Sequence, residues 1–137
     1  MKFIAYLSFD GRCREAFEFY AKVLGGKIVA MISHGETDYA AQVPPEWQDK
    51  IINAHLTVRE AELMGADAPP QYFQEKQGVS VSIQVETESE AKRIFDAFAE
   101  NGTLTLPFTP TSWAKGFGMV KDKFGTPWMV GGGAPAA

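Results

Sequence analysis

Two histidines, one cysteine and a few well-placed carboxylates are the chemical inventory of this 137-residue chain. His55 is the most promising of them. It lies in Asn53-Ala-His-Leu-Thr57, just ahead of a turn expected at Arg59-Glu60. An imidazole changes charge near neutral pH, so it can act as a general base or as a hydrogen-bond donor to a ligand. The structural alternative is a histidine satisfied by a neighbouring strand or loop. Glu60 and Glu62 flank the same turn and could offer carboxylates. Charged side chains are rarely buried unpaired, so the expectation for both is a solvated position. His34, in His34-Gly-Glu-Thr-Asp38, superficially resembles a metal cluster. Such residues crowd turns for backbone reasons, and no second histidine follows at ligand spacing. Cys13 stands between Arg12 and Arg14 at a polar helix start, where the two cations could lower its pKa. Being single, it makes no internal disulfide and belongs to no structural zinc set.

Several chemistries are excluded by pattern. No Gly-x-Gly-x-x-Gly follows a strand, no Walker lysine loop is present, and no Ser stands in a nucleophile elbow. The net charge of -4 and the scatter of Lys and Arg argue against nucleic acid and against an anionic membrane surface. Hydrophobic residues make up 45% and charged residues 22%, an ordinary balance for a globular domain. No apolar run reaches membrane-spanning length, and the N-terminal region enters a strand pattern directly, so a cytoplasmic protein is the expectation.

The elements that must position these groups follow from periodicity. Lys2 to Phe9 reads as a strand stopped by Asp10-Gly11. Arg12 to Leu24 reads as a helix, with Ala16, Phe19, Tyr20, Val23 and Leu24 at helical spacings and Gly25-Gly26 as the stop. Lys27 to Ser33 is a strand, and His34 to Asp49 a turn-rich loop with one short helical turn near Glu46-Trp47. Ile51 to Val58 and Glu62 to Ala66 form a hairpin. Asp67 to Gln77, with Pro69-Pro70, is linker-like. The order then recurs: a strand from Val79 to Val85, a helix from Glu88 to Asn101, a strand from Thr103 to Phe108, and an aromatic hairpin from Trp113 to Val130. Gly131 to Ala137 reads as a loose tail.

The chain therefore reads β-α-β-β-β twice, with an offset of about 76 positions. One α+β domain over residues 1–137 is expected, with module one about 1–67, a linker about 68–77, module two about 78–131 and a tail 132–137. Phe3, Ala5, Leu7 and Phe9 align with Val79, Val81, Ile83 and Val85, and these oily positions are expected under the helices. Alternation then sends Ile4, Tyr6 and Ser8, and Ser80, Ser82 and Gln84, to the opposite face. A Ser-Ser-Gln row is costly in a dry core because each unpaired polar group loses hydration. It points to a wet concave surface, rimmed by the aromatic hairpin. The alternative is a solvent-facing sheet with no ligand, which antiparallel sheets tolerate. Trp113, Phe117, Met119 and Trp128 must divide between the two faces.

At this level the chain resembles a known superfamily. Tyr6-Leu-Ser-Phe-Asp-Gly11, Ala16-Phe-Glu-Phe-Tyr20 with Leu24-Gly25-Gly26, Ala54-His55 before a hairpin, and Trp113 through Trp128-Met129-Val130 together look like the PhnB-like branch of the glyoxalase, bleomycin-resistance and extradiol-dioxygenase (vicinal oxygen chelate) proteins. The resemblance implies curled mixed sheets and a homodimer whose pockets are often completed by both subunits. Superfamily enzymes usually hold one divalent metal with His, Gln or Glu from the first and last strands of each module. Carried over, those positions fall near Ile4 or Tyr6, near Met64, at Ser80 or Ser82, and at Met129, four residues after Gly125. Thioethers suit soft ions, and Ser alone holds a divalent metal poorly. No metal and no other cofactor is expected there. PhnB-like relatives have carried a demethylubiquinone methyltransferase label, but nothing here reads as a methyl-donor loop.

The expected function is binding of a small molecule in a concave pocket by Tyr6, His55, Ser80, Ser82, Gln84, Trp113, Phe117 and Met129. A first alternative is a lyase or isomerase in which His55 is catalytic, working with a nearby carboxylate and a metal at a displaced site. A second is a non-catalytic dimeric interaction protein. Nucleic acid and membrane are not expected partners.

Overall fold

Eight strands and two α-helices form among residues 1–135, which this computed structural model describes. In chain order they are β1 (Ala5–Phe9), α1 (Cys13–Leu24), β2 (Lys27–Ser33), β3 (Ile51–Val58), β4 (Ala61–Asp67), β5 (Val81–Val85), α2 (Glu88–Ala99), β6 (Thr103–Thr109), β7 (Gly116–Lys121) and β8 (Pro127–Gly132). The first sheet has the order β1-β4-β3-β2 and the second β5-β8-β7-β6. In each, the first and last strands of the module run parallel and the other pairs antiparallel. These are the two βαβββ modules of an α+β, glyoxalase-like fold. The chain divides into two compact units, Met1–Glu75 and Lys76–Ala137.

The helices form for local reasons and then bury one stripe. Cys13, Ala16, Phe17, Tyr20 and Val23 give α1 its apolar side, and Gly25 ends it in the left-handed region at φ 69°. Ala91, Ile94, Phe95 and Phe98 do the same for α2, whose start is capped by Thr87 accepting the Glu90 N–H. Glycines let each helix approach its sheet. A Cβ on Gly65 would lie 2.8 Å from the Phe17 ring, and one on Gly118 would lie 2.5 Å from the Phe95 ring. These contacts define the helix-covered faces, because neighbouring strand residues alternate between faces. In the second unit Trp128 stacks on Phe98 at 4.4 Å within that core.

Two buried aspartates lock the turns. Asp67 Oδ1 accepts the N–H groups of Gly11 and Cys13, both at 2.9 Å, and Oδ2 accepts that of Ile51 at 2.8 Å. Arg12 supplies no side-chain cap of its own, so the last residue of β4 closes the N-terminus of α1. Asp122 accepts from Phe124 N, Thr126 N and Trp128 Nε1 at 2.8, 3.0 and 2.8 Å.

The structure differs from the sequence-based expectations at several edges. β1 and β5 begin later than expected, and Phe3 (97% exposed), Ala5 and Val79 (70%) are not under the helices; Leu7 and Phe9 are. The pairing of β1 with β4 and of β5 with β8 begins at Ala5 and Val81, so the residues before them lie outside the ladders. Ser80 consequently precedes its strand. Trp113 also lies outside a strand, in a turn where Thr111 Oγ1 accepts the N–H groups of Trp113 and Ala114. The loop from His34 holds three 3₁₀ turns rather than one, at His34–Glu36, Ala40–Gln42 and Pro45–Trp47. Cys13 opens α1 between two exposed arginines, and its side chain is buried. Gly131 and Gly132 complete β8 and are buried, not part of a tail; Ala136 and Ala137 of that tail lie outside the described residues. Among the described residues no helix is long and apolar enough to cross a membrane.

Candidate functional site

Register places the chemical residues in rows across the helix-free face of each sheet. In the first unit Tyr6 pairs with Met64, Met64 with His55, and His55 with Ala30. Glu62 stands one rung away on the same face, opposite Thr57. The diagonal lets the imidazole and the carboxylate meet: His55 Nε2 is 2.8 Å from Glu62 Oε1. The second oxygen, Oε2, accepts from Lys2 Nζ at 2.6 Å. Both side chains of the central pair are mostly covered, at 25% exposure for His55 and 15% for Glu62. Lys2 and then His55, as donors, hold the Glu62 carboxyl below its ordinary pKa. Tyr6 donates its hydroxyl to the Ile52 carbonyl at 3.3 Å, and burial raises its pKa, so it is a protonated donor.

This corrects the expectation of a solvated Glu62. The signal was present in the sequence: a two-residue turn at Arg59-Glu60 puts Glu62 opposite Thr57 and diagonal to His55. Lys2 had no such signal, since it reaches Glu62 from 60 positions away.

In the second unit Ser82 pairs with Met129 and Met129 with Met119. Gln84 pairs with Gly131, and Gly131 with Phe117. Gln84, Trp113 and Phe117 come together around a hollow of about 150 Å³, where Trp113 meets Phe117 edge-to-face at 5.3 Å. Ser80 and Met129 line a second hollow of about 410 Å³ with Lys76 and Lys121. Trp128 is turned the other way, into the helix-covered core. The expected division of aromatics between faces is thus Trp128 inward, with Phe117 and Met119 on the helix-free side.

The superfamily's metal can be tested against these rows. The positions implied by the resemblance are register partners in each unit, Tyr6 with Met64 and Ser82 with Met129. They offer one phenol, one hydroxyl and two thioethers. No carboxylate or imidazole is among them, and this donor set does not fit a hard or borderline divalent cation. Among the described residues, no three His, Cys, Asp or Glu side chains converge as a metal cluster. The His34 group is committed elsewhere. His34 is buried with Nε2 3.3 Å from the Asp67 carbonyl, while Glu36 accepts from the N–H and hydroxyl of Ser33. Those two bonds lower the Glu36 pKa.

Comparison with known proteins agrees with this architecture. The family described as 3-demethylubiquinone-9 3-methyltransferase matches residues 1–131. Protein YjdN of Escherichia coli K12 is 38% identical over 134 residues, 91% of this chain and 90% of that protein. The crystal structure of protein PA1353 from Pseudomonas aeruginosa is 41% identical with a TM-score of 0.89, covering 97% of this chain and 98% of that one. The PhnB protein of Bacillus cereus is 26% identical with a TM-score of 0.79, covering 96% and 99%.

Proposed function

We propose, for a chain that belongs to the 3-demethylubiquinone-9 3-methyltransferase (PhnB-like) family, that it binds a small organic molecule on its helix-free sheet faces without a catalytic metal. One observation carries the reading. The residues at the superfamily's metal positions are register partners, Tyr6 with Met64 and Ser82 with Met129, and none is a ligand for a divalent ion of the usual kind. What these faces do offer is a phenol donor, hydroxyl and amide groups, thioethers and aromatic edges, a lining suited to an organic ligand.

Methyl transfer is not part of this reading. The strand-to-helix turns read Asp10-Gly11-Arg12 after β1 and Glu86-Thr87 after β5, and neither is a glycine-rich loop of the kind that holds a methyl donor.

The test is elemental analysis of untagged protein, then calorimetric titration with Zn²⁺, Mn²⁺, Ni²⁺ and Fe²⁺, then a thermal-shift screen of metabolites. No stoichiometric metal and stabilisation by one compound are expected; a ligand at 100 times its Kd adds about 2.7 kcal/mol. Stoichiometric metal binding abolished by His55→Ala overturns the reading.

A second reading is favoured by the His55–Glu62 pair. A histidine held at 2.8 Å by a carboxylate is a base with an orienting partner, the arrangement a lyase or isomerase needs for proton abstraction. Turnover of a screened ligand, lost in His55→Ala with binding retained, would establish it. Under either reading we take the protein as a homodimer, since Phe3 and Val79 are exposed ahead of the edge strands β1 and β5.

A further inference from the structure

The row Gln84–Gly131–Phe117 on the helix-free face of the second sheet has a gap at its middle. Gly131 carries no side chain, and a Cβ there would stand 3.1 Å from the Phe117 ring. That gap contributes to the hollow of about 150 Å³, a volume that takes one compact group the size of a small ring. Trp113 closes one side, edge-to-face with Phe117, and it is 62% exposed, so ring surface remains for a ligand. The turn that carries Trp113 is fixed in advance. Thr111 Oγ1 accepts the N–H groups of Trp113 and Ala114 at 3.3 and 3.1 Å, and the Lys115 N–H donates to the Gly133 carbonyl at 3.1 Å. Such preorganisation reduces the ordering cost of binding.

The charge at this hollow has one sign. Glu86, directly after β5, lines it and is exposed, and among the described residues nothing pairs with its carboxylate. Gln84 lines it too, with its amide equally unpaired. No lysine or arginine belongs to the lining. The adjacent cation, Lys115, is directed at Glu88, with Nζ 3.9 Å from its carboxylate. An aromatic ring and an unpaired carboxylate at one hollow attract the same positive charge, the ring through its quadrupole. Alkyl groups around that charge gain by leaving water for the ring surface. An anion is repelled by both.

We propose that this hollow takes a compact alkylammonium cation. The inference rests on the small-molecule reading above and adds the class of ligand. The ammonium lies against Trp113 with Glu86 as its counter-ion, and the Gln84 amide oxygen accepts from an N–H or hydroxyl of the ligand. The ligand is the free cation and not a phospholipid headgroup, because Glu86 repels a phosphate.

The test titrates choline, its uncharged isostere 3,3-dimethylbutan-1-ol and the anion 3,3-dimethylbutanoate into the full ¹⁵N-labelled chain. The Trp113 indole and Gln84 amide resonances report the site. Choline is expected to bind roughly 3- to 30-fold more tightly than the alcohol, the range for a cation on an aromatic ring. The anion should bind more weakly than the alcohol, and phosphocholine more weakly than choline. Glu86→Gln and Trp113→Leu should each remove most of choline's advantage. Glu100→Gln, the same charge change at the other end of α2, should leave it intact. Equal binding of choline and the alcohol, a tighter phosphocholine, or an advantage lost as fully in Glu100→Gln would overturn the inference. An uncharged or anionic metabolite that moves Trp113 where choline does not also overturns it, and leaves the small-molecule reading intact. Silence of every resonance toward all compounds overturns both. The wild-type comparison decides the matter even where a variant fails to fold.

Discussion

His55 Nε2 and Glu62 Oε1 stand 2.8 Å apart on the helix-free face of the first sheet, one rung out of direct register. The same carboxylate holds Lys2 at 2.6 Å through its other oxygen. When the imidazole is neutral, a carboxylate at Nε2 selects the tautomer with its proton there, and Nδ1 becomes the acceptor. The pair therefore presents a base of defined orientation, and it also ties the N-terminal residues to the sheet. These two consequences can be separated by experiment.

Acid stability reports the tie. Lys2 and His55 lower the Glu62 pKa in the folded protein from an ordinary value of 4.5. A carboxyl lowered in this way stabilises the fold above its unfolded pKa, and the contribution is lost as pH falls through the folded value. Glu62→Gln is thus expected to lower the urea midpoint near neutral pH, with the gap to the native protein closing below about pH 4.5. A gap of constant size across that range would show that the charge of Glu62 is not involved.

Asp67 is expected to be the most sensitive polar position in the first unit. Its buried carboxylate serves three backbone N–H groups from two separate segments. Asp67→Ala strands them, at about 1–3 kcal/mol for each donor left without a partner. Asp67→Asn keeps one acceptor oxygen and should cost distinctly less. Chemical denaturation of both variants checks the order; equal losses would mean that packing, not hydrogen bonding, dominates the site.

Gly118→Ala tests the close approach of α2 to its sheet. The added Cβ would meet the Phe95 ring at 2.5 Å, so the ring must move within a packed core. A loss of about 1–3 kcal/mol is expected, as for other overpacked cores. Combining it with Phe95→Leu should recover part of the loss, measured as non-additivity in a double-mutant cycle.

The proposed homodimer predicts a mass in solution of twice the 15.0 kDa chain. Phe3→Glu together with Val79→Glu places charge where the exposed apolar residues stand and should yield a folded monomer. Light scattering after size-exclusion chromatography gives the masses, and circular dichroism confirms the fold. A monomeric native protein would remove the dimer from the proposal.

The positions of strands and helices were readable because their causes are local. The aligned repeat survives in three dimensions, where β5 starts 76 residues after β1, and the buried stripe of α2 is the one its periodicity predicts. Misplaced edges have a common reason. Strand pattern continues through Phe3 and Val79, but a strand ends where its neighbour stops pairing, and that neighbour is distant in sequence. Alternation of large and small residues carries a strand pattern back to Trp113, whereas Thr111 Oγ1 folds a local turn there.

The candidate site divides in the same way. Residue type and alternation by themselves determined that Tyr6, Ser82 and Gln84 point away from the helices, because side-chain direction in a strand has a period of two; the family resemblance, not periodicity, is what set thioethers and hydroxyls at the superfamily's metal positions. Tertiary structure decided which groups actually meet. Glu62 was expected in solvent, yet it is gripped by His55 and by Lys2; Asp67 closes a helix that begins 54 residues earlier; and Trp47 is buried with an unmet N–H beside Pro69. His55 and Glu62 share one hairpin, but the partnerships of Lys2 with Glu62, of Asp67 with the start of α1 and of Trp47 with the Pro69 segment join stretches brought together by folding, and no window of local sequence contains both members.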